Sequence, residues 1–285
     1  MAKEEFFTMR IVILFILSIG IAFRSGAQYY YKDLVTTTQT AKQLQQFKAQ
    51  KIRSVKVLSF EGNGQPVEDF AVEQAFNNNY TQVKTNTKSS ASNQSELETL
   101  YDNNGRINRT TDTTDGFSST TEYAYNSDNK LSSLTNISVS AGQSLEKEQH
   151  LWYYNADGKP ERMVKIKNNT DTTHISFVVD EQGNVAEENS RRNGILLPSV
   201  YYYYDNNDRL TDIVRYSRKA KRLLPDYIFE YNDQGDISSM LLIPEGSDDY
   251  QRWVYQYGED GLKIKETAFN KKRQVIGRIE YRYER

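Results

Sequence analysis

The run Tyr201-Tyr202-Tyr203-Tyr204-Asp205-Asn206-Asn207-Asp208-Arg209-Leu210 sets the pattern of the whole chain. An aromatic-rich stretch enters a short polar turn and leaves on Arg-Leu. The same shape returns as Tyr101-Asp102-Asn103-Asn104-Gly105-Arg106, Tyr125-Asn126-Ser127-Asp128-Asn129-Lys130 and Tyr154-Asn155-Ala156-Asp157-Gly158-Lys159. It returns again as Val179-Asp180-Glu181-Gln182-Gly183-Asn184, Tyr231-Asn232-Asp233-Gln234-Gly235-Asp236 and Tyr257-Gly258-Glu259-Asp260-Gly261. Phe60-Glu61-Gly62-Asn63-Gly64 reads as a degenerate first copy. Six steps separate Tyr101 from Tyr257, a mean period of about 26 residues, which marks a repeat architecture.

The chemistry of each copy is that of a hairpin. Asp and Asn bond their own backbone and tolerate left-handed conformations, and Gly accepts positive φ. Asn129 and Asp208 stand where the other copies place Gly, and they are the next most tolerant types. Residues before each turn alternate, as in Trp152 and Tyr154 or Tyr227, Phe229 and Tyr231, which puts each set on one face of a strand. Six places beyond the aromatic comes an apolar residue in most copies: Ile107, Leu131, Val185, Leu210, Ile237. Each copy therefore predicts a β-hairpin.

The recurring Tyr-Asp-x-x-Gly-Arg-Leu/Ile resembles the YD repeat of Rhs-type and related secreted proteins, best at Tyr101, Tyr154 and Tyr204. The resemblance covers roughly residues 60–285. It implies antiparallel sheet, which in large members spirals into a shell around a toxic cargo domain. This chain is too short for such a shell and shows no cargo domain after its last copy, so the resemblance implies the fold and not the function.

Residues 1–27 read as a signal peptide. A weakly basic start precedes the apolar run from Ile11 to Phe23, and Ser25-Gly26-Ala27 sets cleavage between Ala27 and Gln28. The run is shorter than the roughly 20 residues of a membrane-spanning helix, so no membrane span is expected after its removal. The predicted destination is export: periplasm, outer surface or extracellular medium. Residues 28–51 form a second segment, with a short helix expected over Thr40 to Lys51 that caps the first hairpin. Residues 52–285 form the repeat domain.

The chain has no cysteine, which excludes disulfides and thiolate metal sites. Mature net charge is about −3, with no electrostatic pull toward nucleic acid. No cofactor is expected. The acidic turns lack the spacing of a calcium loop, and His150 and His174 lie in different copies without ligand-spaced partners. They are read as strand or surface histidines. No carboxylate pair stands out for glycoside hydrolysis, so no catalytic or metal residue is assigned.

Aromatic residues are the strongest signal, with 21 Tyr, 12 Phe and 2 Trp, and regular Tyr-x-Tyr positions read as the packed face. Tyr201, Tyr202, Tyr203 and Tyr204 put rings on both faces and are the candidate ligand-binding residues. Turn residues assigned to the repeat are Tyr101, Asp102, Gly105, Tyr125, Tyr154, Gly158, Asp180, Gly183, Tyr204, Asp205, Tyr231, Gly235, Tyr257 and Gly261. The basic tips Arg218 to Arg222 and Lys271 to Arg273 read as solvated loops.

The expected fold is all-β: an elongated antiparallel meander of about fifteen strands curling into an open sheet or half-shell. The expected function is an exported, non-enzymatic scaffold or binding protein, its partner a protein or glycan at the cell envelope. Two alternatives stand beside it. One is an outer-membrane β-barrel, which needs a lipid-facing apolar band that the mean hydropathy of −0.76 disfavours. The other is a glycan-active hydrolase.

Overall fold

A computed structural model describes residues 29–89, 92–217, 220–244 and 249–285. The signal peptide expected over residues 1–27, with its expected cleavage between Ala27 and Gln28, lies outside them. One helix, α1 (Lys32–Ala49), precedes nineteen antiparallel strands among the described residues. These are β1 (Ser54–Glu61), β2 (Ala71–Phe76), β3 (Gln82–Ser89), β4 (Ser92–Tyr101), β5 (Ile107–Thr114), β6 (Phe117–Tyr125), β7 (Leu131–Ser140), β8 (Gln143–Tyr154), β9 (Pro160–Lys167) and β10 (Asp171–Val179). They continue with β11 (Val185–Arg192), β12 (Ile195–Leu196), β13 (Val200–Tyr204), β14 (Leu210–Ser217), β15 (Arg222–Tyr231), β16 (Ile237–Leu242), β17 (Gln251–Tyr257), β18 (Lys263–Asn270) and β19 (Val275–Glu284).

Each strand pairs with the next, except that the two-residue β12 pairs with β11 alone, and β13 pairs back onto β11 past it. The ends then meet. β1 and β19 pair over eight residues, from Ser54 opposite Glu284 to Glu61 opposite Gly277. The sheet is therefore a closed barrel of 18 strands, with β12 outside the ring. This corrects the open meander or half-shell expected from the sequence, and the count of about fifteen strands.

The physical reason lies in the repeat itself. Seven copies carry a register shift at the residue that opens the turn, for example between Leu100 and Tyr101, Ala124 and Tyr125, or Tyr203 and Tyr204, while β2 and β3 pair through Phe76 and Val83 without one. Bulges bend a strand and increase its twist. Set in seven copies at the same end of the wall, they curl the sheet in one sense until its two edges pair, which also removes both free edges.

All Tyr-Asp turns lie at one mouth of the barrel, and the intervening turns lie at the other. Their geometry is uniform. Asp205 Oδ1 accepts the backbone N–H of Asn207 and Arg209 at 2.9 and 3.0 Å, and Asp102, Asn126 and Asp180 do the same in their copies. Gly105, Gly158, Gly183, Gly235 and Gly261 have positive φ, as do Asn129 and Asp208 in their places. The Phe60 turn has the same backbone bonding, Glu61 N–H to Gln65 O at 2.8 Å, but it follows β1 at the other mouth. The copy that shares the Tyr-Asp mouth is Phe76-Asn77-Asn78-Asn79-Tyr80, whose Asn77 Oδ1 accepts from Thr81 and Gln82. One extra residue before Gln82 hides it from the sequence pattern.

The wall explains the recurring tyrosine. Ladders between neighbouring copies stop short of the Tyr-Asp mouth; β5 and β6 pair only as far as Arg109 and Glu122. There Tyr125 donates its hydroxyl to the carbonyl of Ile107, in the preceding copy, at 2.9 Å. Tyr154, Tyr204, Tyr231, Tyr257 and Tyr283 repeat the bond to Leu131, Val185, Leu210, Ile237 and Lys263 at 2.7–2.9 Å. The aromatic of one copy thus satisfies a carbonyl that the frayed ladder leaves over. Tyr204→Phe is expected to lower unfolding stability by about 1–3 kcal/mol, the range for an abandoned buried acceptor, measured by denaturant titration.

The inner face is apolar and aromatic near that mouth. Trp152, Met163, Ile175, Phe177, Val185 and Tyr202 form one buried cluster, and Val57, Val72, Met240, Trp253 and Ile279 form another. The outer face is polar, with ion pairs Lys84–Glu96, Arg109–Glu122 and Arg252–Glu230.

Candidate functional site

Helix α1 runs from one sector of the inner wall to another and closes off the Tyr-Asp mouth. Its start packs against strands β8 to β15: Tyr31 against Tyr202 and Phe177, and Tyr29, just before the helix, against Tyr227. Its end packs on the far side, Phe47 against Phe76 and Tyr283, while Gln46 and Gln50 donate to the carbonyls of Gly261 and Asp260. The helix starts eight residues before the expected Thr40. Thr37 and Thr38 are poor helix formers, but their hydroxyls bond back to the carbonyls of Asp33 and Leu34, and packing inside the barrel overrides propensity.

A buried polar network fixes the helix start. His150 contacts Asp33 from Nδ1 at 2.6 Å and Glu148 from Nε2 at 2.9 Å. With a carboxylate at each ring nitrogen, both nitrogens donate and the ring is an imidazolium. Glu148 also pairs with Lys165 at 2.7 Å. Burial pulls the imidazole down, but Asp33 and Glu148 outweigh it and hold its pKa at about 9. Burial pushes Glu148 up, but the bonds from His150 and Lys165 take it down to about 2. Glu188 is 1% exposed and accepts the backbone N–H of Tyr30 and Tyr31 and the Tyr202 hydroxyl, ending the chain's approach to the helix. Burial outweighs those three donors and raises it to about 7.

The signs of these shifts define a pH profile. The raised His150 stabilises the fold fully below its unfolded pKa of about 6.5, and that contribution is lost as pH rises through about 9. The depressed Glu148 contributes above about 4.5 and loses it as pH falls through about 2. Glu188, raised, contributes below about 4.5 and loses it as pH rises through about 7. Stability should therefore fall in two steps from pH 5 to pH 10, each of order 3 kcal/mol. In chemical denaturation, Glu188→Gln should remove the lower step and leave the upper one.

The sequence pattern assigns no role to His150 or Glu188. Parity carried the signal for His150: Glu148, His150, Trp152 and Tyr154 fall on one face of β8. Glu188 gave none, because the bulge opposite Val178 and Val179 shifts the alternation of β11.

The four consecutive tyrosines divide between the two faces. Tyr202 and Tyr204 point inward, the first bonded to Glu188 and the second to Val185 O. Tyr201 and Tyr203 lie outward, where β11 and β13 pair across only two residues, Glu187 to Tyr201 and Glu188 to Val200. They line a groove of about 610 Å³ with Val178, Glu187, Asp205 and Asp208. Tyr203 is 47% exposed and Val178 49%. Asp205 is engaged already: Arg209 and the turn amides hold its carboxyl below the usual range. His174 is exposed on the outer wall of β10.

No protein-family model and no curated protein matches the chain. Among solved structures it is similar to a porin-like protein from Bacteroides uniformis ATCC 8492, at 11% identity and a TM-score of 0.41, over 82% of this chain and 98% of that one. A porin-like protein from Bacteroides vulgatus ATCC 8482 is similar at 12% identity and a TM-score of 0.29, with the same coverage. A chain of the TcdB2-TccC3-Cdc42 crystal structure is 14% identical over 79% of this chain, with a TM-score of 0.34, and this chain spans 13% of its length. At these scores the similarities carry no argument about function. The closed ring does: it fits the outer-membrane β-barrel alternative better than an open scaffold.

Proposed function

We propose that this chain is an exported β-barrel of the cell envelope, related in build to YD-repeat proteins, that binds a protein or glycan partner without catalysis. The observation that carries the binding role is the outer groove at the β11–β13 junction. It sets the exposed ring of Tyr203 and the half-buried ring of Tyr201 beside the carboxylates of Glu187, Asp205 and Asp208. Aromatic faces flanked by acceptors suit a sugar ring or a peptide side chain. The repeat turns and the inter-copy tyrosine bonds support the YD-like build. A glycan array with the purified chain, repeated with Tyr201→Ala/Tyr203→Ala, tests the groove. Binding that survives the double substitution contradicts it.

An outer-membrane barrel is the second reading, favoured by the even number of antiparallel strands and the absence of a free edge. The outer wall bears on it directly. Lys84, Arg109 and Arg252 lie within strands on that face, and each such cation costs about 2–4 kcal/mol at a bilayer midplane. On the first reading the wall therefore faces water. The mature chain is expected to remain in solution after removal of detergent; a requirement for detergent or lipid favours the spanning barrel.

A further inference from the structure

The mouth opposite the Tyr-Asp turns is ringed by exposed apolar side chains. Of thirteen large apolar residues exposed among those described, eight lie at this end: Phe117, Leu145, the run 195–197, Tyr216, Leu223 and Val275. Ile195 is 68% exposed and Leu196 55%. These two form β12, which stands outside the ring and pairs only with Arg191 and Arg192. Tyr216 and Leu223 face each other on the nearby β14–β15 hairpin.

Cations stand beside this apolar edge. Arg191, Lys221 and Arg222 are exposed in the same sector. Asp171, at the start of β10, is taken by Arg192 in an ion pair. Exposed Ile and Leu at a protruding tip, flanked by Arg and Lys, match the boundary of an anionic bilayer: apolar groups enter the headgroup layer while cations meet its surface charge. Nothing in the ring's hydrogen bonding needs β12 to be apolar, since Ile195 and Leu196 touch no core cluster.

We propose that this mouth docks peripherally onto an anionic membrane surface, with the 195–197 tip inserting into the headgroup region and Arg191, Lys221 and Arg222 contacting lipid phosphates. The barrel stands on the membrane by its rim rather than crossing it. The inference does not depend on the outer tyrosine groove, which lies at the other end of the wall.

Flotation of the mature chain with vesicles containing phosphatidylglycerol, against vesicles of phosphatidylcholine alone, tests it. The chain should float with the anionic vesicles at low salt and be released by high salt, since the Debye length shrinks to about 3 Å at 1 M. Ile195→Asp/Leu196→Asp should weaken binding more than about tenfold with an unchanged melting curve. Arg191→Glu/Arg222→Glu should weaken binding with unchanged folding and remove its salt dependence. No flotation, equal binding to both vesicle types, or unaltered binding of either variant overturns the proposal. Binding that resists high salt and needs detergent for release also overturns it, and marks the spanning reading instead. A silent glycan array with normal flotation removes only the groove's role.

Discussion

Asp33→Ala is expected to destabilise the barrel by about 3–5 kcal/mol, the range for removing one partner of a buried ion pair. Asp33 is 7% exposed and is the carboxylate on His150 Nδ1; it also lies 3.4 Å from Trp152 Nε1. Without it a buried imidazolium keeps only Glu148, which it already shares with Lys165. The loss should appear in urea titration as a lower midpoint. His150→Leu in the same background should recover part of it, because an apolar side chain does not leave a charge uncompensated. If Asp33→Ala melts like the parent, the helix start is not seated in this network.

Phe47→Ala should have an effect of similar size at the other end of the helix, about 3–5 kcal/mol. Phe47 is 5% exposed and meets Phe76 and Tyr283 edge-on or tilted at 5.3 and 6.0 Å. Tyr283 belongs to β19 and Phe76 to β2, the strands on either side of β1. The cavity would therefore open beneath the seam where the ring closes. The two substitutions lie 14 residues apart in sequence and share no partner, so their effects should add to within about 0.5 kcal/mol. An effect at one end alone would mean that the helix anchors to one sector and does not brace the mouth.

Much of the wall is readable from sequence. Asp205 to Arg209 and its copies announce a turn because each residue type there answers a backbone requirement, and the alternation of Trp152 with Tyr154 announces the inner face. Closure is a different kind of property. It comes from bulges such as that at Tyr204, whose bend is small in one copy and decisive when repeated. No short window shows it, so the chain read as an open ribbon. The true first copy escaped because Tyr80 and Thr81 stand where the pattern wants Gly and a single residue. The helix was half visible: Leu44 and Phe47 mark its second half, while Asp33 looks like a solvent residue until its partner His150, 117 residues away, is placed. The tyrosine run at 201–204 stands out in the sequence, but a strand's alternation gives two of its rings, Tyr202 and Tyr204, to the core.

Closure can be measured in a chain that has no cysteine of its own. Leu58 on β1 lies directly opposite Glu280 on β19, both on the outer wall. Directly opposed residues on paired antiparallel strands have Cα atoms about 4.5–5.5 Å apart, within reach of a disulfide. In the Leu58→Cys/Glu280→Cys variant, mild oxidation should give one intramolecular bond in nearly every molecule, seen as a gel-mobility shift reversed by reductant. Two thiols that stay free under the same oxidant, in protein that is otherwise folded, would show that the first and last strands do not meet and that the barrel is open.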